Sequence, residues 1–156
     1  MTKEEFAQEV VSLRSMLYYV SYSLLTNSID QDDAVQEAIH KALAKRESLR
    51  EASQLKSWLT RILINECYTI LRRRKREVPT EEINPVVPEG AKRELFEAIV
   101  SLEEKLRLPL VLYYYEGYKT REIARILRVP EGTVKGRLAR ARGQLGEMLK
   151  DEEVLA

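Results

Sequence analysis

The chain has 156 residues, 44% of them hydrophobic and 33% charged, a balance typical of a folded protein and not of a disordered one. No apolar run reaches the roughly 18 to 20 residues that cross a membrane, and the opening MTKEEFAQEVV lacks the residue order of a signal peptide. The single cysteine, Cys67, excludes an internal disulfide and fits a reducing compartment. A soluble cytoplasmic protein with no membrane span is therefore expected.

The net charge of +1 conceals a strong segregation of charge along the chain. Residues 72–76 are all basic, residues 77–104 hold 8 acidic and 2 basic side chains, and residues 105–150 hold 11 basic and 4 acidic. Two basic islands around an acidic middle can neutralise phosphates, while the balanced total limits non-specific attraction. The distribution indicates a nucleic-acid partner that the net charge alone would not.

The elements predicted in the first half are helices. Apolar residues first recur at spacings of three and four, which predicts one long helix that ends at Asn27 and Ser28. These residues are Phe6, Val10, Leu13, Leu17, Val20 and Leu24. The acidic segment Asp30–Asp33 suits a helix N-terminus, so a second helix is expected to begin there. A third is predicted from about Leu55 to Arg76.

A segment rich in proline separates the two halves. Glu77–Gly90 contains three of the five prolines and no helical apolar spacing, so it is predicted to be an extended linker. Strand-like alternation is absent on either side of it. The sequence therefore predicts an all-α protein of two small domains, residues 1–76 and 92–156, joined by residues 77–91.

The second half contains the most specific pattern. Leu95, Ile99 and Leu102 mark one helix, and Leu108–Tyr115 marks another, which Gly117 ends. The next stretch, TREIARILRVPEGTVKGRL, begins at Thr120, which is expected to be a helix N-cap.

Two short helices follow from that stretch, separated by a tight turn. Pro130 suits the start of the second helix, whose inner stripe is predicted to be Val134, Leu138, Ala141 and Leu145. Its outer face would carry Thr133, Lys135, Arg137, Arg140 and Arg142. A tight turn before a basic helix is what a major-groove reader needs, so a helix-turn-helix is predicted.

Other kinds of site are not supported. The acidic segment 30–33 suggests a calcium loop, but Val35 stands where that loop needs glycine and Lys41 where it needs a bidentate acid. His40 is the sole histidine, and Cys67 is the one other soft ligand and is expected in the core. No metal, no cofactor and no enzymatic activity are expected.

Three ordered blocks resemble bacterial sigma factors of the extracytoplasmic-function (ECF) group, and the likeness covers nearly the whole chain. The blocks are Asp30–Leu43, Leu55–Arg76, and Leu110–Lys119 with the helix-turn-helix that follows. The resemblance implies that the first block docks on the clamp helices of the polymerase beta-prime subunit. Asp33, Gln36 and Glu37 would make that contact.

The resemblance also implies that the second block captures and melts the −10 promoter element. Residues 46–57 would form a loop that holds a flipped base, which leaves the stack at a cost of a few kcal/mol. The implied −10 contacts are Trp58, Arg61, Asn65, Arg72, Arg73, Arg74, Lys75 and Arg76. For Trp58, its helical spacing to Ile62 favours a core anchor instead.

The third block would read the −35 element. The implied contacts are Thr120, Glu131, Thr133, Lys135, Gly136, Arg137 and Arg140. The chain departs from the family at Arg128, where glycine is usual, so that an L-residue is expected to be left-handed at a cost of about 1 kcal/mol. Gly136 replaces the more usual serine, and Ala139 offers only a methyl group. Reading is expected to depend on Lys135, Arg140 and DNA shape.

The resemblance implies a sigma factor that binds core RNA polymerase through the beta-prime clamp helices and the beta flap, binds promoter DNA and directs promoter-specific initiation. It also allows for an anti-sigma partner. Two alternatives remain open from the residues. One is a stand-alone helix-turn-helix transcriptional regulator, which needs no polymerase-docking surface. The other is a helical scaffold that binds only protein.

Overall fold

The computed structural model describes residues 1–75 and 93–148, and every regular element in those ranges is a helix. The all-α class predicted from the sequence is therefore confirmed for the described residues. The chain divides into two compact units, Met1–Asn84 and Pro85–Ala156, each with its own core. Arg76 and the predicted linker, Glu77–Gly90, lie outside the described residues.

The first unit begins with two helices, α1 (Lys3–Ser12) and α2 (Arg14–Leu24), where the apolar spacing predicted one. The helix is interrupted at Leu13, whose N–H donates to the Val10 carbonyl at 3.1 Å, which makes a tighter turn than that of an α-helix. The Ser12 hydroxyl donates to the Glu9 carbonyl at 2.6 Å and so competes with the helical pattern. The stripe stays in phase across the break, and most of it is buried: Phe6, Val10, Leu17, Val20 and Leu24.

The centre of the first unit is formed by α3 (Ser28–Ala44) and α4 (Leu55–Lys75). α3 begins two residues before the predicted Asp30, because the Asn27 side chain caps it by accepting the Asp30 N–H at 2.9 Å. Two 3₁₀ turns, Arg46–Ser48 and Ala52–Gln54, connect α3 to α4. The two helices run antiparallel, and Lys41 on α3 forms a salt bridge with Glu66 on α4.

The second unit contains α5 (Arg93–Val100), α6 (Glu104–Tyr114), α7 (Thr120–Leu127) and α8 (Glu131–Met148). α6 begins before the predicted Leu108, and its first turn already buries Leu106. Gly117 ends this segment with a positive φ of 72°, a conformation that glycine adopts without a Cβ clash. α7 and α8 follow as the two helices of the predicted helix-turn-helix.

Candidate nucleic-acid interface

The turn between α7 and α8 has the geometry expected from the sequence. Arg128 adopts a left-handed conformation, with φ 57° and ψ 48°, as predicted for a residue that stands where glycine is usual. The Val129 N–H donates to the Ala124 carbonyl at 3.1 Å and closes the turn. The carbonyl of Pro130 accepts the N–H groups of Thr133 at 3.0 Å and Val134 at 3.3 Å, so α8 starts immediately after the proline.

The expected role of Thr120 as an N-cap is corrected by the structure. Thr120 is the first residue of α7, and the N–H of the preceding Lys119 donates to Glu122 at 2.9 Å. The Thr120 hydroxyl instead donates to the Glu131 carboxylate at 2.9 Å and links the starts of α7 and α8. The Glu131 carboxylate also lies 4.0 Å from the Nζ of Lys135, one helical turn further along α8, and orients that cation. Thr120 and Glu131 thus hold the start of α8 against the start of α7.

The outward face of α8 is basic and open. The predicted inner stripe is buried in full: Val134, Leu138, Ala141 and Leu145. Lys135 and Arg140 are exposed, whereas Thr133 and Arg137 are half-buried. At Gly136, which is exposed, nothing lies within 4 Å of where a Cβ would stand, so the helix backbone is open to solvent there. The helix therefore offers positive charge at its flanks and little side-chain bulk between them.

Arg142 has a different environment from the other cations on α8. Its guanidinium lies 5.5 Å and 5.6 Å from the ring centres of Tyr113 and Tyr114, and its Nε donates to the Tyr114 hydroxyl at 2.6 Å. This cation–π contact fixes α8 to α6. Arg142 is exposed, as the outer-face prediction expected, and its side chain also contacts the two tyrosines.

In the first unit, α3 presents an acidic and polar stripe. Asp33, Gln36 and Glu37 are all exposed, and their spacing puts them on one side of the helix. Their side chains make no hydrogen bond or ion pair within residues 1–75 and 93–148. Asp32 behaves differently, since it accepts a hydrogen bond from the Tyr18 hydroxyl at 2.9 Å. The fold therefore places these three side chains at the surface without using them in hydrogen bonds or ion pairs among the described residues.

One face of α4 carries four of the eight residues that the resemblance assigned to −10 binding. Trp58, Arg61, Asn65 and Arg72 recur at spacings of three, four and seven, which places them on one side of the helix, opposite the core. Trp58 is half-buried and makes an edge contact with the Phe6 ring at 6.1 Å, which supports its interpretation as an anchor. Asn65 is exposed, and Arg61 is half-buried.

A groove of about 530 Å³ opens between α1 and the second 3₁₀ turn. Glu5 and Glu9 line one wall, and Ser53 and Lys56 belong to the other. The second wall is part of the 46–57 segment in which the resemblance implies a pocket for a flipped base.

The structure changes the interpretation of Arg74 within the basic island. Its Nε and Nη2 both donate to the Asp30 carboxylate at 2.9 Å, so the side chain spans from the last turn of α4 to the first turn of α3. Arg72 donates to the Thr69 hydroxyl at 3.2 Å, while Arg73 and Lys75 are exposed. The sequence prediction treated the five cations of residues 72–76 as equivalent, and it missed Asp30 as a partner of one of them.

Neither a metal ion nor thiol chemistry is suggested by the geometry. Within residues 1–75 and 93–148, no group of three or more His, Cys, Asp or Glu side chains is arranged to hold a metal. Cys67 is fully buried, as expected, and burial raises the pKa of its thiol to about 12. Of the described helices, none combines the length and apolarity required to span a bilayer.

Comparison with family models gives two matches in chain order. Residues 10–77 match sigma-70 region 2, and residues 92–145 match sigma-70, region 4. The first match contains the acidic stripe of α3 and the outward face of α4. The second contains the helix-turn-helix.

Individual relatives give the same result. The chain is 38% identical over 128 residues to the ECF RNA polymerase sigma factor SigM of Mycobacterium tuberculosis, a match that covers 78% of this chain and 65% of SigM. It is 33% identical over 134 residues to the ECF RNA polymerase sigma-E factor of Escherichia coli, covering 72% and 70% of the two chains.

A solved structure extends the likeness to three dimensions. The sigma factor RpoE from Bartonella quintana, in complex with the anti-sigma factor NepR, matches with a TM-score of 0.84 and 31% identity, covering 94% of this chain and 98% of RpoE. Sequence, domain order and fold agree, and the chain belongs to the ECF family of RNA polymerase sigma factors.

Proposed function

We propose that this chain is a promoter-specificity subunit, which binds core RNA polymerase, directs initiation at particular promoters and catalyses no reaction itself. The observation that carries the proposal is the exposed stripe of Asp33, Gln36 and Glu37 in the same chain as a basic helix-turn-helix. A stand-alone regulator needs the second feature but has no use for the first. Its site of action is the cytoplasm, where its polymerase partner works.

In this proposal the acidic stripe docks on the beta-prime clamp helices. Carboxylates whose charge is not already neutralised within the protein are suited to a basic partner surface and speed its encounter. The second unit contacts the beta flap. An anti-sigma protein would regulate the chain by covering these surfaces, as the complex of RpoE with NepR suggests for a relative.

The −10 element is engaged by the outward face of α4. Asn65 and Arg61 face the displaced strand, Arg72, Arg73 and Lys75 hold its phosphates, and the 46–57 segment receives a flipped base. Arg76 extends this set, although it lies outside the described residues. Trp58 supports the face by packing on Phe6, with its remaining surface available for stacking.

The −35 element is read by α8. Lys135 and Arg140 provide the main charge, with Thr133 and Arg137 beside them, and Gly136 allows close approach of the backbone. Thr120 and Glu131 orient the two helices through their hydrogen bond. Because so few side chains project from the centre of this face, sequence preference rests on groove shape as well as base contacts.

Transcription from purified components tests the proposal directly. The chain is added to core RNA polymerase with fragmented genomic DNA, and run-off transcripts are sequenced. Transcripts that start at defined positions and share two upstream elements are expected. Core polymerase without the chain is the control, and no promoter-dependent transcript from any fragment would contradict the proposal.

Pull-down of core polymerase tests the docking surface. The pair Asp33→Ala with Gln36→Ala should reduce retention at least tenfold. The matched control is Glu5→Ala with Gln8→Ala on α1, which removes the same chemistry at the same spacing from another exposed face. Equal retention of wild type and both variants would remove the assignment and favour the stand-alone regulator.

A further inference from the structure

The pair formed by Asp30 and Arg74 has the geometry of a fixed structural bridge. Two guanidinium nitrogens meet two carboxylate oxygens, each at 2.9 Å, an arrangement that uses the planar donor edge of arginine. Asn27 donates a further hydrogen bond to the same carboxylate at 3.0 Å. The Asp30 side chain is only 8% exposed. The carboxylate is thus held on several sides, and Arg74 is its main counter-charge.

The position of Arg74 on α4 explains this pairing. Leu63, Cys67 and Ile70 form a buried stripe at spacings of four and three, and Arg74 continues it with a spacing of four. Its side chain therefore faces α3. Arg73 and Lys75, one residue to either side, are turned away from that direction, and they make no hydrogen bond or ion pair within the described parts of the chain.

Release of Arg74, whose side chain is 47% exposed, to a DNA phosphate would leave the largely buried Asp30 carboxylate without its main counter-charge, which is destabilising. Burial alone would raise the pKa of Asp30, but the hydrogen bonds from Arg74 and Asn27 and the nearby charges hold it below its ordinary value. Asp30 is therefore charged when the protein is in neutral solution, and it competes with any phosphate for Arg74.

We infer that Asp30 is a positioning residue of the −10 interface, which withholds Arg74 from nucleic acid and ties the end of α4 to the start of α3. Phosphate contact in this part of the basic island then rests on Arg72, Arg73 and Lys75. The inference rests on the proposed function, because it concerns how that function uses the island. The bridge between Asp30 and Arg74 also joins the start of α3, the helix proposed to dock on polymerase, to the end of α4 that is proposed to bind the DNA strand.

The salt dependence of promoter binding separates a withheld cation from one that contacts phosphate. Each lost phosphate contact reduces the slope of log K against log salt by about 0.7 for single strands and about 0.9 for duplex. Holoenzyme reconstituted from core polymerase and the full chain is bound to a promoter found in the transcription experiment. Arg74→Gln is compared with its matched neighbours Arg73→Gln and Lys75→Gln.

Arg74→Gln is expected to keep the wild-type slope, while Arg73→Gln and Lys75→Gln each reduce it by about 0.7 to 0.9. Asp30→Asn is expected to steepen it, since it frees Arg74 to bind a phosphate. A merely structural bridge would lower stability in both bridge variants without steepening the slope in Asp30→Asn. Should Asp30→Asn fail to fold, the comparison of Arg74→Gln with Arg73→Gln and Lys75→Gln still decides whether Arg74 contacts a phosphate.

An equal loss of slope in Arg74→Gln and Arg73→Gln would overturn the inference, because it would show Arg74 in contact with phosphate. An unchanged or shallower slope in folded Asp30→Asn would overturn it as well. Failure of wild-type holoenzyme to bind any promoter is a different result, which contradicts the proposed function itself.

Discussion

Replacement of Arg128 by glycine should stabilise the second unit. Arg128 has φ 57° and ψ 48°, and its side chain is exposed. A left-handed conformation costs an L-residue roughly 1–2 kcal/mol, and glycine avoids most of that cost. Glycine also gives the unfolded chain more freedom, which offsets about 0.5–1 kcal/mol of the gain. The net stabilisation is therefore about 0.5–1 kcal/mol, which corresponds to roughly 2–8 °C in a domain of this size.

Thermal unfolding followed by far-UV circular dichroism measures this change. The sole tryptophan, Trp58, belongs to the first unit, so its fluorescence serves as an internal reference that Arg128→Gly should leave unchanged. Arg128→Ala is the control, because it removes the same charge but keeps the Cβ. An equal rise in both variants would refute the reasoning, since the gain would then come from the lost charge and not from backbone conformation.

Four further outcomes are expected. Because burial raises the pKa of Cys67 to about 12, a thiol reagent at neutral pH should modify the folded protein only as fast as it unfolds, and rapid reaction would contradict the buried site. The pKa of Asp30 is lowered on folding, so its ion pair stabilises fully above the unfolded value of 3.8 and is lost as pH falls through the folded pKa. The difference in urea midpoint between wild type and Asp30→Asn should therefore shrink between about pH 6 and about pH 2.5, and a constant difference would argue against the pair. Gly143→Ala, which meets nothing within 4 Å, should raise the urea midpoint through a gain of up to about 1 kcal/mol in helix propensity, whereas a loss would show that this surface is not open. Lys135→Ala with Arg140→Ala should lower the salt slope of −35 duplex binding by holoenzyme by about 1.8, and an unaltered slope would support the protein-only scaffold.

Buried helix faces were predictable here because they depend on periodicity alone. The stripe of α8, with Val134 and Leu145 near its ends, is buried as the spacing requires. The break at Leu13 was not predictable in the same way, since the apolar spacing stays in phase across it. What interrupts the helix is local hydrogen bonding around Val10 and Ser12, which a pattern of apolar residues does not register.

The partners of individual charged side chains depend on tertiary packing and were harder to infer. Arg74 and Asp30 are 44 residues apart, and Arg142 and Tyr114 are 28 apart, so neither pair has a local signal. A signal did exist for Arg74, whose spacing from Ile70 continues a buried stripe. The uniform positive charge of residues 72–76 hides the fact that Arg74 shares a helix face with Ile70. The left-handed Arg128 was predictable, because a turn of this kind constrains the backbone whatever residue occupies it.

Although the net charge of the chain is near neutral, its charged side chains are divided between ion pairs and open surfaces. α3 and α4 lie side by side, one with acidic surface residues and the other with a basic end, so their charges could have neutralised one another throughout. Ion pairs of Asp30 with Arg74 and of Lys41 with Glu66 do join them within the described residues, and in both pairs the carboxylate is buried. Asp33 and Lys75 are exposed away from that contact, so their charges remain available to bind other molecules. Helical phase therefore decides which charges the fold uses, and it lets a chain with a net charge of +1 present one acidic and one basic surface.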